Sequence, residues 1–139
     1  MKSLARVVFA GSLALSLVIG LGCSQSESTP EVGLITPDQL LSEPPADALI
    51  LDVRTPEEYA QGHVPGAVNV PHTEVAARLD EIEAEVGGDP SRPVVVYCER
   101  GARAAKAEAE LLEAGYRQVL HLEGDMSDWR AKGRATERS

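Results

Sequence analysis

Short, nearly unbroken apolar runs recur along this chain, and a helix start follows most of them. Ala48–Val53 reads ALILDV, Ala67–Val70 reads AVNV, Val94–Tyr97 reads VVVY, and Gln118–Leu122 reads QVLHL. Continuous runs of this length suit strands covered on both faces, whereas a half-exposed strand alternates apolar with polar. Helix signals lie between them. Thr36-Pro37 and Thr55-Pro56 each place a capping hydroxyl before a proline suited to the first helical position. Glu57 and Glu58 put negative charge in a first turn, and Gly62 offers a stop. Val75, Leu79, Ile82 and Val86 recur at helical spacing up to Gly87. ARAAKAEAELLEAG, ending at Gly115, and DMSDWRAKG, starting at Asp125, read as two more helices. Strands alternating with helices imply a small α/β domain with a mostly parallel sheet and helices on both faces.

The chain of 139 residues has room for one such domain plus extras. Only 4% of its residues are aromatic, so Ala, Val, Leu and Ile must fill the core. The net charge is −9, and it becomes −11 without residues 1–22, which carry only Lys2 and Arg6. That balance argues against nucleic acid as a partner, which a basic face would attract.

The N-terminal segment stands apart. After Lys2 and Arg6 no charge occurs from Val7 to Cys23. The apolar stretch falls short of the roughly 20 residues of a comfortable membrane span, and it has the layout of a secretory signal. Cysteine directly after IGLG resembles the lipidation box of bacterial lipoproteins, although only Gly22 fits that pattern well. The expectation is a signal peptide over 1–22, lipidation at Cys23, and a polar tether over 23–33. The domain would then hang within about 35 Å of a membrane surface, exported and facing the periplasm or cell exterior. An ordinary cleaved signal that leaves Cys23 free is the alternative. If lipid takes Cys23, Cys98 has no intramolecular partner in an oxidising compartment.

Cys98 is the residue to explain. It ends the VVVY run, where α/β sheets hold their ligands. Arg100, Gly101 and Arg103 follow, just as a helix begins. Helix N–H groups, a glycine turn that lets them converge, and two guanidinium groups all favour an anion at the sulfur. The loop therefore reads as a cradle for a nucleophilic thiolate and an anionic substrate. The plain alternative is a buried structural cysteine, which is common.

Three segments carry a family resemblance. LDVRTPEEYAQGHVPGAVNVP (Leu51–Pro71), VVVYCERGAR (Val94–Arg103) and GYRQVLHLEGDMSDWRAKG (Gly115–Gly133) resemble the signature blocks of rhodanese-like domains, in the family's order. The likeness covers about 34–135 and leaves 136–139 as a polar tail. It implies a five-stranded, mostly parallel sheet and sulfurtransferase chemistry through a Cys98 persulfide. Glu99, Arg100, Gly101, Ala102 and Arg103 match the family's substrate-binding loop. Asp52 and Arg54 match positions that brace the active-site end. The spacing Cys98 to Arg103 is Cys-x4-Arg, the shorter of the family's loops. It suits a sulfur atom better than the phosphoryl or arsenate group of the longer-loop relatives.

The resemblance implies no metal or organic cofactor. The partners it implies are a small anionic donor such as thiosulfate, a thiol or cyanide acceptor, and a monomeric enzyme. A non-catalytic binding or redox-sensing module and an oxyanion enzyme stay open as alternatives. His63, His72 and His121 lack ligand spacing and are expected to pack or turn. Glu99 is expected to face solvent, because an inward acid would oppose the thiolate. Arg54 could pair with Glu58, and Trp129 should pack the last helix. Asp125 stands after Gly124 where the family often has a second glycine. Its tolerance of positive φ should preserve the turn, while its charge falls close to the pocket.

Overall fold

The computed structural model describes residues 30–139. Residues 1–22 and Cys23 lie outside the described residues, as does most of the tether. Five strands form one parallel sheet in the order β1-β5-β4-β2-β3. They are β1 (Gly33–Ile35), β2 (Leu49–Asp52), β3 (Val68–Asn69), β4 (Val94–Tyr97) and β5 (Val119–Leu122). Helices α1 (Pro37–Ser42), α2 (Pro56–Gln61), α3 (Leu79–Glu85), α4 (Ala102–Glu113) and α5 (Asp125–Ala131) connect and cover them. The expected α/β class and five-stranded sheet are what the structure shows.

Strand β4 sits mid-sheet, and all four of its residues are buried. Packing on its two faces differs. Val94 and Val96 join Leu49, Leu51, Ala104, Ala107 and Leu111 on one side. Val95 and Tyr97 join Leu40, Leu122, Met126 and Trp129 on the other. Each fully buried Val or Leu contributes roughly 1.5–3 kcal/mol, so this two-sided burial anchors β4 and fixes where its carboxyl end emerges.

Both Thr-Pro signals form complete capping boxes. Thr36 pairs with Gln39, and Thr55 with Glu58. Three details depart from the expectations. Gly33, read as the end of the tether, opens β1 and pairs with β5. The run from Val75 to Val86 is not one helix. A 3-10 turn at Ala76–Arg78 precedes α3, because Arg78 leaves helical geometry at φ −117, ψ 26. The polar tail also packs on the domain: His63 and Glu137 form an antiparallel bridge, and the Trp129 indole N–H donates to the Ala135 carbonyl at 2.9 Å. Among the described residues, no helix is long and apolar enough to cross a membrane.

Candidate active site

Strand β4 ends at Tyr97, so Cys98 lies at the carboxyl edge of the sheet's middle. The chain reverses at Gly101, whose φ of +97 a side-chain-bearing residue would resist. Helix α4 starts one residue later, its N-terminus directed back at the loop. The Gly101 N–H donates to Cys98 Sγ at 3.0 Å. The first turn of α4 leaves further N–H groups without intrahelical acceptors, and its dipole favours negative charge there. Cys98 is only 1% exposed, yet it floors a depression of about 250 Å³ walled by Glu99, Arg100, Ala102 and Arg103. Only small reactants fit that depression. Four of the five loop residues named from the sequence wall this depression, and the fifth, Gly101, supplies the N–H that meets the sulfur.

The charges around it are arranged differently from the expectation. Arg54 does not pair with Glu58. It is buried at 1% exposure and grips buried Asp52, with Nη2 2.6 Å from Oδ2. Burial works against the charged guanidinium, but the Asp52 hydrogen bonds outweigh it and raise the Arg54 pKa. The Tyr97 hydroxyl donates to the same carboxylate at 2.7 Å and accepts the Val64 N–H at 3.0 Å. Arg54 also donates to the Gly62 carbonyl. Asp52 and Arg54 therefore tie the ends of β2 and β4 to α2, a bracing role. Breaking one partner of such a buried pair costs about 3–5 kcal/mol, because the other charge is stranded.

Glu58 instead holds Arg103 through two hydrogen bonds of 2.6 and 2.9 Å. That clamp holds the Glu58 carboxyl at about 2, with the Thr55 N–H adding to the effect. Arg103 is raised in turn, first by Glu58, with Cys98 adding to the same direction. Arg103 is thus held on the rim beside the sulfur. Arg100 is exposed and makes no hydrogen bond or ion pair among the described residues. Glu99 does not simply face solvent. Its side chain is 26% exposed, pairs with Arg130, and lies 3.8 Å from Arg54. Two cations so offset the acid beside the nucleophile.

His121 is expected from the sequence to pack or turn, and the structure corrects this. Its Nδ1 lies 2.5 Å from Glu108 and its Nε2 3.2 Å from Asp125. Hydrogen bonds to Asp125 and then to Glu108 raise its pKa to about 10, against the effect of burial. The two carboxylates thus favour the imidazolium form of His121 at neutral pH. Asp125 keeps the turn at φ +52, as its tolerance of positive φ suggested. Its Oδ1 accepts the Cys98 N–H at 2.9 Å. The charge that falls close to the pocket is thus partly offset by His121, which it shares with Glu108, and is turned to fixing the loop. The available signal was Glu108, an acid four residues from Ala104 on the apolar face of α4. His63 does pack, stacked on Tyr59 with ring centroids 3.7 Å apart. Trp129 is fully buried.

A buried cysteine, the one thiol among the described residues, sits in a glycine-turned loop at the carboxyl end of the middle strand of a parallel sheet, and that arrangement defines the domain as a small α/β unit built around Cys98. The chain belongs to the rhodanese-like domain family, which it matches over residues 36–132. It is 40% identical over 87 residues to a sulfurtransferase of Allochromatium vinosum, covering 63% of this chain and 76% of that one. It is 38% identical over 95 residues to thiosulfate sulfurtransferase 16, chloroplastic, of Arabidopsis thaliana, covering 63% and 78%. Among solved structures, a rhodanese with anions from E. coli aligns at a TM-score of 0.52 and 30% identity, covering 66% and 99%. Relatives also include tRNA uridine(34) hydroxylases, of which the matched segment is 27% of the length. Sulfurtransferase relatives at this identity support a rhodanese-type enzyme in general.

Proposed function

We propose that the protein is a sulfurtransferase that carries sulfane sulfur as a persulfide on Cys98. The observation that carries the reading is the loop itself: a floor cysteine under a small cup, met by the Gly101 N–H at 3.0 Å and flanked by Arg100 and Arg103. The Cys98 thiolate attacks the outer sulfur of a donor such as thiosulfate. A new S–S bond forms, the donor S–S bond breaks, and sulfite leaves with the electron pair. A thiol or cyanide then attacks the outer sulfur and returns the pair to Cys98. This is two-step covalent catalysis. Loop N–H groups and Arg103 hold the anionic donor, and the short Cys-x4-Arg loop favours sulfur over a tetrahedral oxyanion.

Intact mass after thiosulfate treatment tests the reading. Wild type should gain one sulfur atom at Cys98 and lose it to cyanide, while Cys98→Ser should show neither gain nor turnover. Normal sulfur transfer by Cys98→Ser would refute it. Turnover of arsenate or a phosphate ester without any sulfur adduct would favour the oxyanion alternative instead. We further propose that Cys23 carries a lipid that tethers the exported domain to a membrane, on the strength of the sequence before it.

A further inference from the structure

A second, larger cleft of about 620 Å³ opens beside the loop. It lies off the sulfur, but the two sites adjoin. Glu99 borders both, and Met126 in the cleft wall donates its N–H to the Cys98 carbonyl at 3.0 Å. Its lining is unusual for an acidic chain: Arg54, Arg130, Arg134 and Arg138 line it against Glu58 and Glu99, although Arg54 is committed to Asp52 behind it. Part of that positive charge is free or only loosely held. Arg138 forms no ion pair among the described residues. The buried Nη1 of Arg134 has no hydrogen-bond partner, its closest acid oxygen being 3.5 Å away on Asp128. Its Nη2 pairs with Asp38, which is 86% exposed, and its guanidinium lies over the Trp129 ring, 5.7 Å from the centroid, so Arg134 is positioned by weak contacts that leave charge for an incoming carboxylate. The segment that closes the cleft is built into the fold. The Arg134 N–H donates to the Trp129 carbonyl, and the bridge to His63 precedes Arg138.

We infer that this cleft is the acceptor subsite, and that it selects a thiol whose body carries carboxylates. The inference rests on the sulfur-transfer reading and names its second substrate. A donor of a few atoms fits within the 250 Å³ cup and leaves the larger cleft empty. The cleft volume is that of an ordinary small-molecule site. Its lining offers guanidinium forks, which pair best with carboxylates. A thiol of about tripeptide size can rest its carboxylates on Arg134 and Arg138 while its sulfur reaches past Glu99. The acceptor thiolate attacks the outer sulfur of the persulfide and forms a new S–S bond. The bond to Cys98 breaks, its electron pair restores the Cys98 thiolate, and the acceptor leaves as a persulfide.

The test uses sulfur-loaded protein and three acceptors: glutathione, glutathione diethyl ester and cyanide. The two thiols share size and shape but differ in carboxylate charge, and their rates are compared per thiolate. Wild type should prefer glutathione over the diester by about tenfold in kcat/KM, and added salt should erode the preference. Arg138→Glu should raise the KM for glutathione about tenfold and leave the diester and cyanide within twofold. Arg134→Gln should act in the same direction, with cyanide turnover reporting whether that variant is folded. Equal rates for the two thiols in wild type would overturn the inference, as would an Arg138→Glu loss shared by all three acceptors. Sulfur transfer to cyanide in those same outcomes would leave the sulfurtransferase reading standing. Failure to load sulfur at all would remove both.

Discussion

The His121 bridge makes the most exacting physical prediction. His121→Gln removes the cation between Glu108 and Asp125 and leaves two acids facing a neutral amide. A rise from the ordinary 6.5 to about 10 corresponds to an upper limit of about 5 kcal/mol. The side chain is 19% exposed, and solvent and relaxation reduce such couplings, so the expected loss at pH 7 is about 1–3 kcal/mol. The sign with pH is also set. The folded value lies above the unfolded one, so the stabilisation is complete below about 6.5 and disappears as pH rises through about 10. Guanidinium-induced unfolding of both proteins at pH 7 and pH 9.5 measures the difference. The variant should be weaker at pH 7 and closer to wild type at pH 9.5. A penalty that is the same at both values would show that His121 contributes packing and not charge. The consequence should extend to chemistry, because Asp125 holds the Cys98 N–H at 2.9 Å. The variant should load sulfur more slowly even where it is fully folded.

The loop arginines should separate cleanly. Arg103→Ala should cost about ten- to a hundredfold in kcat/KM for thiosulfate, because a charge-assisted bond to an anion contributes about 1.5–3 kcal/mol. Arg100→Ala should cost less, since Arg100 is exposed and has no side-chain partner among the described residues, and equal losses would contradict the role given to the Glu58 clamp. Gly101→Ala should slow thiosulfate turnover and lower stability by at least about 1 kcal/mol. Its φ is +97 and a Cβ would come within 3.3 Å of Asp125 Oδ2, so wild-type kinetics would show that the loop is not held by that turn. Cys23→Ser should release the protein from the membrane fraction of a bacterial host, and wild type recovered wholly soluble would argue against the lipid anchor.

Residues alone were enough for the α/β class and for the place of Cys98 in the fold, and the physical reason is local. VVVY is apolar throughout because both faces of β4 are buried, and a strand that ends at Pro93 and Cys98 has one place to put its thiol. Gly101 must turn, and α4 must start where Ala102 begins a run of strong helix formers. These are properties of neighbours in the chain, so a linear reading finds them. Strand β1 escaped that reading because three residues that bury only Ile35 well have no pattern of their own. β5 makes them a strand by offering its edge. Charge pairing was the other matter that only the fold could decide. Asp52, Glu58, Glu99, Glu108 and Asp125 all look available to several cations in one dimension. Packing assigns Asp52 to Arg54, Glu58 to Arg103, and Glu99 to Arg130. It sets His121 between Glu108, thirteen residues away, and Asp125, on the next helix. Ion pairs depend on separations of a few ångströms across elements distant in sequence, so their partners emerge only when the sheet closes around β4.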